Sequence, residues 1–136
     1  MRRLVSVVLP VLLLGTTAVV YAAAERHATA ELTSLSSNGV SGNVDLIEQQ
    51  VGGTLVKVQA KNLQPNTEYL ATWYANRTCQ VEATTDQNIV GRFRTNPQGV
   101  ALFNGKLANK GLADIGSVSV RLATDMSVVG CAGFTQ

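Results

Sequence analysis

One histidine, His27, and two cysteines, Cys79 and Cys131, are all that this 136-residue chain holds of the side chains most used as metal ligands or activated nucleophiles. His27 lies near the expected mature terminus, so no Ser-His-Asp or Cys-His arrangement is available, which argues against a hydrolase. The cysteines are not in CxxC spacing and no helical pattern flanks either, which argues against a redox-active pair. No glycine-rich phosphate cradle precedes a helix, and no internal repeat or low-complexity tract is found. Charge of one sign is also scarce. The formal +2 comes from Arg2 and Arg3; beyond them nine Lys and Arg face nine Asp and Glu. A near-neutral body gives no electrostatic reason to expect nucleic acid or an anionic membrane as partner, and Arg92 with Arg94 reads as a solvated strand face.

The N-terminus is the most explicit segment. Arg2 and Arg3 precede an apolar run over 4–14, and Ala22, Ala23 and Ala24 supply small residues ahead of Glu25, the layout of an export signal. Residues 1–24 are therefore expected to be a cleaved signal helix, with an uncleaved, extracytoplasmic membrane anchor as the alternative. Export places the mature chain outside the cytoplasm, secreted or periplasmic, with no membrane attachment after cleavage. Residues 25–136 suffice for one domain with its own core. In an oxidising compartment Cys79 and Cys131 are expected to form one disulfide.

Period-two alternation recurs in short segments after the signal, and no window gives a helical stripe. Strands are expected over 28–35, 40–46, 56–60, 69–75, 89–94, 100–107, 116–123 and 127–134, with 89–94 and 100–107 joined as a hairpin across Asn96, Pro97, Gln98 and Gly99. The fold class is all-β: a single Greek-key β-sandwich or flattened barrel of about eight strands. Leu63, Pro65, Thr67 and Tyr69 form either a well-made turn or a tyrosine corner, in which the phenol bonds nearby backbone.

The order of these parts resembles the Cu/Zn superoxide dismutase family and its chordin-type secreted relatives over 40–134; a fibronectin-like sandwich is the alternative topology. Residues 56–74, with the Leu63 and Pro65 corner, resemble the family's strand, Gly-Leu-x-Pro turn and His-x-His strand. Cys79 stands where the family places its loop cysteine, and Cys131 matches the disulfide partner in the last strand. Asp114, Ile115, Gly116, Ser117, Val118, Ser119 and Val120 resemble its Asp-Ile-x-Gly-x-Ser-Val-Val segment. The resemblance implies copper and zinc held by histidines and an aspartate, and the chain departs from it there. Ala71, Thr72, Trp73 and Tyr74 stand at the His-x-His pair, Arg121 and Leu122 near the later copper ligand, and Val128 at the anion-guiding arginine. One imidazole cannot build a redox-cycling copper site, so the scaffold is expected without its metals and without catalysis. A dismutase with substitute ligands is the enzyme alternative.

Other constellations are thinner. Cleavage after Ala24 would create a Glu25-Arg26-His27 terminus whose amine, two amides and imidazole form a square-planar nitrogen set for copper, the one cofactor alternative to none. Glu82 and Asp86 sit in a long loop over 77–88 and read as solvated. Asn76, Arg77 and Thr78 make a glycosylation sequon. Trp73 and Tyr74 point to opposite faces of one strand, so an exposed one could anchor a partner. Arg77, Glu82, Asp86, Trp73 and Tyr74 are thus the expected recognition surface, with the 108–114 connection, for an unidentified protein or small ligand.

Overall fold

The computed structural model describes residues 26–81 and 88–135. Eight strands follow in chain order: β1 His27–Ser34, β2 Ser41–Glu48, β3 Thr54–Lys61, β4 Glu68–Tyr74, β5 Ile89–Arg94, β6 Ala101–Leu107, β7 Ser117–Leu122 and β8 Val128–Gly133. All pair antiparallel in one sheet of order β5-β4-β7-β8-β1-β2-β3-β6, a Greek-key arrangement that curls into a nearly closed barrel. The expected signal helix and the calls on Glu25, Glu82 and Asp86 lie outside the described residues.

Alternation explains the interior. Leu32, Val44, Leu46, Val56, Val58, Ala71, Val118, Val120 and Ala132 occupy every second position of six strands and are buried in one core. Each leucine or valine among them contributes about 1.5–3 kcal/mol on burial. The 63–69 segment is a tyrosine corner: Tyr69 is buried, and its phenol oxygen accepts the Gln64 N–H at 2.9 Å. Thr67 N–H donates to Thr95 Oγ1, whose hydroxyl donates to the Gln64 carbonyl, so the corner is tied to the start of the 95–100 turn.

The hairpin expected over 89–107 does not form. β5 and β6 are consecutive and joined by a short turn, yet they do not pair as a hairpin; β5 pairs with β4 and β6 with β3. Aromatic volume fills the seam between them. Tyr69, Phe93 and Phe103 stack across β4, β5 and β6, with ring centroids 6.0 and 5.4 Å apart, so that side chains rather than a backbone ladder bridge the seam. Gly91 makes room for this: a Cβ there would lie 2.6 Å from Cζ of Phe103. Gly91→Ala is expected to displace the Phe103 ring at a cost of about 1–3 kcal/mol, measured by urea unfolding. A change below the error of that measurement would show the seam to be loosely packed.

Candidate functional site

The outward face of β4, β7 and β8 is not the solvated face that alternation suggests. Ser117, Ser119 and Arg121 project from β7 and Thr72 and Tyr74 from β4, and all five are buried, Arg121 to 4% exposure. Register explains their grouping. Thr72 pairs with Ser119, Tyr74 with Ser117 and Leu70 with Arg121, so the Tyr74 ring reaches diagonally over Ser119 to the arginine.

Part of the cover is the segment that follows β4, pinned by the Cys79–Cys131 disulfide, whose Cα atoms are 6.0 Å apart. Ser117 Oγ donates to the Asn76 carbonyl at 2.6 Å and accepts the Cys79 N–H at 3.0 Å, which holds Cys79 at a left-handed φ of 56°. Asn76 Oδ1 accepts from the Thr78 and Gln80 amides while its Nδ2 donates to the Gln80 carbonyl, so the sequon asparagine is built into the loop. Gly116 permits the close approach, since a Cβ there would lie 2.1 Å from the Ala75 carbonyl oxygen.

Beneath this cover is a buried cation. Arg121 donates to the Tyr74 phenol oxygen through Nε at 2.9 Å and Nη2 at 2.6 Å, and Nη1 reaches the Met126 carbonyl at 3.5 Å. Tyr74 Oη is also 2.9 Å from Ser119 Oγ, and the guanidinium lies 5.6 Å from the Tyr74 ring centre. Both ion pairs among the described residues lie elsewhere, Arg26 with Glu48 and Arg92 with Glu68, so phenol and carbonyl oxygens stand where a carboxylate would be expected. Thr72 Oγ1 is buried beside this network with no hydrogen-bond partner among the described residues. Just beyond, Asp125 receives the Ser127 hydroxyl and amide, which hold its carboxyl below the usual carboxylate range.

The residues singled out in the sequence are not gathered in one place. Tyr74 faces outward and is buried with the disulfide, so it offers no exposed ring. Trp73 faces the core, half-buried, with Lys110 Nζ 5.0 Å above its ring and its carbonyl accepting from Asn88. Arg77 is exposed. His27 opens β1, exposed, with Nε2 3.3 Å from Thr29 Oγ1, and the neighbouring Arg26 is tied to Glu48 through both side chain and backbone. Among the described residues no three His, Cys, Asp or Glu side chains are grouped as a metal site.

Alternation does expose a different surface. The outer face of β1, β2, β3 and β6 carries an open groove of about 370 Å³ lined by Glu31, Asn43, Gln59, Lys61 and Leu102 among others. No sequence motif marks it, because its residues come from four separate strands. No protein-family model matches this chain, and no curated protein matches it.

Proposed function

We propose that the chain is an exported, non-catalytic β-barrel module with a binding or structural role, a superoxide-dismutase-like scaffold that has exchanged its metal site for a closed polar network. The disulfide and the eight-stranded barrel are compatible with an extracellular or periplasmic protein. The Greek-key strand order and the joining of Cys79 to Cys131 are what the resemblance leads one to expect.

The observation that carries the reading is the identity and use of the side chains on the outward face of β4 and β7. Of the positions standing where that family has its histidine ligands, Thr72, Tyr74 and Arg121 are the ones that share this face. A guanidinium cannot ligate a cation, and it repels one placed nearby. The Tyr74 oxygen is engaged by Arg121 and Ser119. These donors do not fit copper or zinc, whose sites use imidazole, thiolate and carboxylate. Disulfide, phenol and arginine instead make this face a structural clamp, and binding falls to exposed surface elsewhere.

Metal analysis of the purified mature protein, combined with a superoxide assay, tests this. Substoichiometric copper and zinc with no turnover above buffer is the expected result. Copper with turnover would restore the enzyme reading. Stoichiometric copper without turnover, lost on changing His27, would favour a carrier acting through the Glu25-Arg26-His27 terminus.

A further inference from the structure

The groove on the outer face of β1, β2, β3 and β6 has the composition of a ligand site. Glu31, Asn43, Gln59 and Leu102 lie in one continuous register row, since Glu31 pairs with Asn43, Asn43 with Gln59 and Gln59 with Leu102. Three inter-strand steps make that row roughly 14 Å long. Lys61 lies one rung further along β3, and all five residues line the same concavity. Its volume, about 370 Å³, is within the range of small-molecule sites.

The side chains of Glu31, Asn43, Gln59 and Lys61 make no hydrogen bond or ion pair with any described residue. The rung beyond Glu31 behaves differently, since there Thr29 donates to Asp45 at 2.6 Å across the same pair of strands. Four uncommitted polar groups therefore converge on one groove, beside Leu102, an apolar side chain that is 75% exposed.

Their chemistry selects the ligand. Glu31 only accepts, Lys61 only donates, and each carboxamide does both in one plane. The two charges cancel, so the groove prefers neither a cation nor an anion. Vicinal hydroxyls can donate to Glu31, exchange paired hydrogen bonds with Asn43 and Gln59, and accept from Lys61, while the C–H face of a sugar ring packs on Leu102. The row is the length of a short oligosaccharide rather than of a single ring. We propose that this groove binds a neutral, polyhydroxylated ligand, a short saccharide chain. The proposal uses only the β1-β2-β3-β6 face and stands whether or not the other face holds a metal.

The test is NMR titration of the isotope-labelled, disulfide-intact mature protein with maltotriose, cellotriose and chitotriose, using triglycine as a zwitterionic control. Saturable shifts of the Asn43 and Gln59 side-chain amides and the Leu102 methyls are expected with at least one trisaccharide, and none with triglycine. Gln59→Leu, at an exposed position, should leave the rest of the spectrum unchanged and weaken that binding by roughly tenfold, the value of one well-made polar contact. Three results would each overturn the assignment: no saturable shift with any trisaccharide at millimolar concentration, equal binding of triglycine, or undiminished affinity in Gln59→Leu.

Discussion

Replacing Cys79 and Cys131 together by alanine is expected to lower the unfolding free energy by about 4 kcal/mol, the loop-closure entropy lost for a bridge of this span. The bond joins positions 52 residues apart. In a domain of this size that loss shifts the thermal midpoint by about 15–30 °C. Urea unfolding should show a second signature: the slope m rises, because an unbridged denatured chain is less compact and exposes more surface. Two further contacts share the work of holding the loop, the Ser117 hydroxyl between Asn76 and Cys79 and the turn built on the Asn76 side chain. A loss below about 1 kcal/mol would mean that these hold it unaided.

The second large effect separates two variants that remove the same contact. Tyr74→Phe deletes the oxygen that accepts two guanidinium N–H groups, leaving Arg121 charged and buried without its main partner. About 2–4 kcal/mol of destabilisation is expected, because a buried charge stripped of its partner loses solvation it cannot recover. Arg121→Met removes the charge itself, while Tyr74 keeps its bond to Ser119. Its cost should be smaller, since an apolar side chain of similar length can fill a site from which a charge has been withdrawn. Adding Tyr74→Phe to Arg121→Met should then cost much less than Tyr74→Phe alone, a coupling of at least about 1 kcal/mol in a double-mutant cycle. Additive costs would show that phenol and guanidinium are neighbours without mutual dependence, and would remove the energetic basis of the clamp.

The sequence reveals the strands, the corner and the seam to different degrees. All eight strands are readable from alternation, with ends displaced by a residue or two, because the core is lined by every second side chain and the period is short. The Leu63-to-Tyr69 segment reads in the sequence as a plain turn or a tyrosine corner, and the bond that decides for the corner is itself local, since Gln64 and Tyr69 are five residues apart. The 89–107 hairpin shows where locality misleads. Adjacent strands usually pair, but the Tyr69, Phe93 and Phe103 stack gathers rings from three strands into the seam, and nothing near residues 95–100 announces it.

Recognition surface is less legible in the sequence, as Tyr74 and the groove show. A residue's place in its strand gives the direction of its side chain, not what lies above it. Tyr74 points away from the core as its position in β4 requires, yet it is buried. Glu31, Asn43, Gln59 and Leu102 are ordinary outward residues in their own strands and become a row only when β1, β2, β3 and β6 come into register.

Strand identity, the all-β class and the candidate disulfide pair were legible in the chain because hydrophobic period and residue type are local properties. Burial of the Ser117, Ser119 and Arg121 face, the unpaired β5–β6 seam and the groove belong to the folded barrel. Each depends on contacts between segments distant in sequence, whose energies no single segment carries.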